Sequence, residues 1–178
     1  MLGLAACDPP EPDPRLAVEE EPEPEPLGPP MSQLMSADGR LSTLSSLFKQ
    51  TNMEIFVDNA DSVTLLAPIN EAFDGMEPTA RDFLLAEENV RSLKAVLGIH
   101  MLRSDMAAAD LAAAIDGGAD LEASLMTSNS FQLTASRNDD GDIVIADSRG
   151  NEATVVATDV QGANGRVHLI DTVLLPPE

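Results

Sequence analysis

The glycine pair Gly117-Gly118 separates two hydrophobic patterns, and that separation restricts the fold more than any other feature of the chain. Before it, apolar residues recur at helical spacing. The stretch "DGRLSTLSSLFKQTNM" places Leu41, Leu44, Leu47 and Phe48 on one face, with Asp38 or Ser42 available as a cap. "TARDFLLAEENVRSLKAVLGIHML" holds two more helices, the second carrying Val90, Leu93, Val96, Leu97 and Met101 on one side. "AAADLAAAIDGG" is a short helix that the glycine pair ends. One strand interrupts this half: "SVTLLAP" runs apolar until Pro68 stops it, and Asn70 stands where it would cap the helix "NEAFDGM".

After Gly118 the period changes. "FQLTAS", "DIVIAD" and "ATVVATDV" are short, alternating and β-branched, with the turn clusters "RNDDGD" and "SRGNE" between them. Asn164-Gly165 is expected to form a tight turn with positive φ, reversing the chain into "GRVHLIDTVLLP". In that last stretch Val167, Leu169 and Val173 alternate with Arg166, His168 and Ile170, so both faces are expected to be covered as far as Pro176. Helices first and antiparallel strands later imply an α+β fold with a small sandwich or barrel, not a βαβ repeat.

A chain of 178 residues supports one domain and a tail. The tail is visible as "DPPEPDPRLAVEEEPEPEPLGPP", residues 8–30, where proline alternates with acid and almost nothing apolar is available to bury. Ordering it would cost entropy without return, so a solvated, partly polyproline II linker is expected. A single domain is expected from Met31 to Glu178. The net charge of −21 opposes binding to nucleic acid and to anionic lipid. With no Trp, no Tyr and five Phe, the platforms that stack on bases or sugar rings are nearly missing. No run approaches the ~18 apolar residues of a membrane-spanning helix.

Two resemblances sharpen this reading. Leu-Ala-Ala-Cys, ending at Cys7, resembles the lipobox of bacterial lipoproteins, in which the cysteine is lipidated. Residues 1–7 are therefore read as the remnant of an export signal, with the acidic linker as a tether. "TLLAPINEAF", "LKAVLGIHML" and "NGRVHLIDTVLLP", in that order and spacing, resemble the fasciclin (FAS1) domain over roughly Ser32 to Pro176. The resemblance implies a wedge of two packed β-sheets with helices along one edge. It also implies a noncatalytic, extracytoplasmic adhesion or interaction module, periplasmic, secreted or membrane-anchored. The partner would be a surface or matrix protein or a polysaccharide, with the membrane reached only through the lipid anchor.

Candidate sites are few. In animal relatives a Tyr-His pair on the central helix is associated with integrin binding; here Ile99 precedes His100, so His100 is a possible interaction residue with half of the motif. A histidine ending an apolar helix is more commonly packed and hydrogen-bonded inside the domain. His168 and Asp171 lack a Gly-x-Ser-x-Gly nucleophile elbow and read as packing residues, so no catalytic residue is assigned. "SRNDDGDIVIAD" has Asn138, Asp140, Gly141 and Asp147 near calcium-loop spacing, but Ser136 and Asp147 fill its first and twelfth places and its flanks read as strands. It is read as a hairpin turn. Met53, Met76, Met101, Met106 and Met126 show no clustering and read as core filling. No metal or cofactor site is expected. The alternative function is a carrier for a small apolar ligand or glycan, which an apolar pocket lined from the helical edge would favour.

Overall fold

The computed structural model describes residues 28–177; Cys7, residues 1–7 and most of the acidic linker lie outside that range. Seven α-helices and seven strands follow in it. The first three helices are α1 (Met31–Ala37), α2 (Ser42–Thr51) and α3 (Glu54–Asp58). Strand β1 (Val63–Pro68) leads into α4 (Asn70–Asp74), α5 (Pro78–Leu85) and α6 (Val90–Ile99), then into the two-residue β2 (Met101–Leu102) and α7 (Ala108–Gly117). The rest is β3 (Ala123–Met126), β4 (Gln132–Arg137), β5 (Ile143–Ala146), β6 (Glu152–Gly162) and β7 (Gly165–Ile170). Strands β2 and β3 are too short for their alternation to stand out in the sequence.

Helix starts are where local reading and structure part. Asn70 does not cap its own helix. Its Oδ1 accepts from the Thr43 amide at 3.0 Å and the Ser42 hydroxyl at 3.2 Å, and its Nδ2 donates to the Gly39 carbonyl at 2.9 Å. It thus closes the N-terminus of α2 from another element. Asp38 caps the short 3₁₀ turn Gly39–Leu41 just before it, through the Arg40 amide. The same borrowing recurs: the Asp58 carboxylate takes the Ser32 amide in the first turn of α1, and Asp159 takes the Ala108 amide of α7. Unfilled amides at a helix start need an acceptor, but nothing requires that it be near in sequence. Asn70→Ala is expected to cost about 1–2 kcal/mol, read as a lower urea midpoint, while Asn70→Asp, which keeps the acceptor for α2 but sets a carboxylate oxygen against the Gly39 carbonyl, should recover only part of that loss.

The seven strands form one sheet in the order β2-β1-β7-β6-β5-β4-β3. Only β1 and β7 pair in parallel; their neighbours run antiparallel. The sheet folds over on itself. Strand β6 has two register shifts against β7, between Val155 and Ala157 and between Ala157 and Val160, and its Asp159 adopts φ 59°. Such irregularities bend a strand. A bridge between Leu102 and Thr127 then joins the two ends of the sheet. Leu66, Leu102, Leu125, Leu133, Ile145 and Ile170, from strands all around it, share one core with Leu111 and Ile115 of α7. The two expected layers are therefore the two halves of one curled sheet, in an α+β wedge.

A second core lies on the other face of β1 and β7. Leu65, Ala67, Val167 and Leu169 point there and meet Phe48 of α2 and Leu93 and Leu97 of α6. Adjacent residues of a strand face opposite ways, so a central strand covered on both faces is apolar except where a buried polar side chain is hydrogen-bonded, as Thr64 and His168 are. That is the physical content of "TLLAP" and "VHLI". Beyond Ile170 the chain leaves the sheet, earlier than its apolar pattern implies. Val173 and Leu174 remain buried, one in each core, because the segment is covered rather than because it is a strand.

The β6–β7 turn also differs from the expected one. Gly162 pairs with Gly165, so Ala163 and Asn164 form the loop, and neither has positive φ. Asn164 instead ties this loop to the chain before β1, its Nδ2 donating to the carbonyls of Val57 and Ala60, both at 2.8 Å. Gly165 is required for a different reason: a Cβ there would lie 1.8 Å from the Val63 carbonyl oxygen.

Candidate functional site

The histidines sit inside. His100 ends α6 and is 1% exposed. Its Nδ1 donates to the Val96 carbonyl at 2.7 Å, and its Nε2 accepts from the Leu174 amide at 3.1 Å, which fixes a neutral tautomer. Burial pushes its pKa down to about 4, against the opposing pull of the Val96 carbonyl and the charge of Asp147. His168 is also fully buried; its Nε2 donates to the Met106 carbonyl at 2.8 Å and its Nδ1 accepts from the Asp159 amide at 3.2 Å. Asp171 accepts from the Thr154 amide at 2.8 Å and from the Thr172 hydroxyl, so it and His168 serve separate backbone positions.

The stretch from Ser136 to Asp147 is the β4–β5 hairpin. Asn138 Oδ1 accepts from the Asp140 and Asp142 amides, fixing the turn in which Gly141 has φ 88°. Among the described residues no three His, Cys, Asp or Glu side chains group as metal ligands. Met53, Met76 and Met106 pack against the cores and Met101 is buried within one, whereas Met126 is 49% exposed.

The surface feature that stands out is a groove of about 620 Å³ between α5, α6 and the C-terminal strand-free segment. Phe83 and Met76 flank it, Leu84 and Val96 form its floor, and Leu175 and Pro176 form the far wall. The floor residues are only 4% and 6% exposed, so the groove reaches down to the core. Phe83, by contrast, is 56% exposed. Glu77, at one end, accepts from the Ala80 amide and the Thr79 hydroxyl, and these bonds, in that order, hold its carboxyl below the usual range.

The far wall is a strap with no secondary structure, held by three side chains in succession. His100 Nε2 takes the Leu174 amide, Asp147 Oδ2 takes the Leu175 amide at 2.8 Å, and Arg149 Nε donates to the Pro176 carbonyl at 2.7 Å. Asp147 is itself fixed, its two oxygens also accepting from the Arg149 and Asn151 amides and the Asn151 side chain. Sequence reading singled out His100 and Asp147 for other reasons and did not find this arrangement, because residues 100, 147 and 149 converge only through the fold. The one available signal was that the apolar run of "TVLLPP" ends directly in a proline pair, which a central strand does not accommodate.

A family model described as "Fasciclin domain" matches residues 39–176. Protein sll1483 of Synechocystis is 26% identical over 145 residues, which cover 82% of this chain and 72% of that protein. Among solved structures, a FAS1 domain pair from the insect cell adhesion molecule Fasciclin I superposes with a TM-score of 0.71 at 21% identity over 83% of this chain. The chain spans 51% of that pair, about half its length.

Proposed function

The chain belongs to the fasciclin domain family, and from that premise we propose that it is a noncatalytic interaction module acting outside the cytoplasm, in adhesion to a surface or matrix protein or polysaccharide. The family is often adhesion-related, and Fasciclin I, whose domain pair shares this fold, is a cell adhesion molecule. The observation that carries the reading is how polar and apolar side chains divide between interior and surface. His100, His168 and Asp147 each serve a backbone group inside the domain. The neighbouring Ile55 and Phe56 of α3, however, are 65% and 57% exposed. Large apolar side chains held in water at adjacent positions are characteristic of a contact surface.

The acidic, proline-rich residues 8–30 and the lipobox-like Cys7 supply the rest of the reading: a lipid anchor and a repulsive tether that hold the domain away from a membrane. No helix among the described residues is long and apolar enough to cross one. Deleting the gene in its native host is expected to abolish attachment to surface or matrix. The wild-type chain should restore it and an Ile55→Ser/Phe56→Ser variant should not; attachment unchanged by the deletion refutes the proposal. Cys7→Ala should shift the protein from the membrane to the soluble fraction.

A second reading, a carrier for a small apolar ligand, is favoured by the groove at the helical edge. Its volume lies within the range of small-molecule sites, and its floor is apolar.

A further inference from the structure

Resting on the carrier reading, we propose that the groove between α5, α6 and the C-terminal strap binds an uncharged, elongated apolar molecule, laid along Phe83 and Met76 beneath the strap. Three features of the site lead to that class. The first is that the space is built in. Ala80 of α5 and Ala95 of α6 line the groove, and a bulky side chain at either place would take up part of its space. The strap wall is fixed by His100, Asp147 and Arg149 before a ligand arrives, so little ordering cost falls on binding.

The second is charge. Glu77, in the lining, is held ionised by the Ala80 amide and Thr79 hydroxyl, and Arg149, the one cation among the described residues of the lining, is engaged with the Pro176 carbonyl, so within a chain of net charge −21 a carboxylate or phosphate head is disfavoured. A cationic head gains little, since Glu77 stands in water and the floor of Leu84 and Val96 would desolvate the cation without a partner. The third is the lack of polar recognition. Sugars need several fixed hydrogen-bond partners and aromatic faces, whereas in this lining Glu77, Thr79 and Arg149 are already hydrogen-bonded within the protein, leaving the Ser92 hydroxyl and one aromatic ring, Phe83.

The test uses the full chain and Nile red, a neutral apolar dye, with 1-decanol, decanoate and decyltrimethylammonium as competitors below their micellar concentrations. Wild type should bind the dye, 1-decanol should displace it, and the two charged competitors should be weaker by about tenfold or more. Ala80→Trp and Ala95→Trp should each weaken dye binding by about tenfold while keeping the wild-type urea midpoint. Because the chain has no Trp or Tyr, Phe83→Trp places its sole indole in the groove, and the emission should move to the blue as 1-decanol is added. Dye binding that survives both alanine substitutions, or decanoate competing as well as decanol, overturns the inference and leaves the carrier reading standing. No dye binding by the wild type removes the carrier reading with it, and leaves adhesion untouched.

Discussion

Lowering the pH from 7 to 4 is expected to lower the urea midpoint steadily, with a loss from His100 that reaches about 3 kcal/mol. In the folded chain burial holds His100 neutral down to about pH 4, whereas in the unfolded chain it takes a proton near 6.5. Between those values the unfolded state binds more protons, so stability is complete above about pH 6.5, falls below it, and levels off below about 4. Protonating the folded state would put a second N–H against the Leu174 amide, so the strap is the part of the molecule that acid loosens first. The charge facing the ring is Asp147, which favours the proton and makes the drop smaller than burial alone would. His100→Gln, which can still accept from Leu174 and cannot titrate, should flatten the profile between pH 6.5 and 4.5. Other acid effects, including relief of repulsion in this acidic chain, are common to both proteins and drop out of the comparison. Identical slopes for wild type and variant would refute the assignment.

Replacing Gly165 should be more damaging still. Gly165→Ala puts a methyl 1.8 Å from the Val63 carbonyl oxygen and 2.8 Å from its carbonyl carbon, backbone atoms of the strand that pairs with β7. Neither strand can retreat, because β1 and β7 are central and both their faces are packed in the cores. Overpacking against fixed backbone is expected to cost on the order of 4 kcal/mol, enough to leave most of the chain unfolded or insoluble. Circular dichroism and urea titration would detect it. Gly141→Ala offers a contrast: the residue has φ 88° in an exposed turn with nothing within 4 Å of the added carbon, so only backbone strain is incurred. A milder effect at Gly165 than at Gly141 would show that β1 and β7 are not pressed together as described.

The candidate site was the least legible part of the sequence. Leu93, Val96 and Leu97 could be placed on one face of α6 because a helix repeats every 3.6 residues, and all three are buried. His100 follows them on the same helix, and its bond to Val96 is local. Its partner Leu174 is distant in sequence, as is Asp147 from Leu175, so the strap and the groove it encloses had no local signature. Phe83 was likewise readable as a helical residue but not as an exposed one. Exposure depends on which element comes to lie over a residue.

What the sequence determined by itself is what short-range periodicity and local stereochemistry control. Helical spacing before Gly117-Gly118, alternation after it, and continuous apolar runs in β1 and β7 set the element types, and with them the α+β class. The three fasciclin-like stretches were equally a property of the sequence. The tertiary structure alone decided which partner each polar group would find. Asn70 looked like a cap for the helix it begins and instead closes α2; Gly165 looked like a turn residue and instead makes room for Val63. A helix terminus or a buried amide requires a partner of a given chemistry but carries no information on where in the chain that partner stands. Only the curled sheet and the helices packed on it bring the two together, and the strap over the groove is held in the same way.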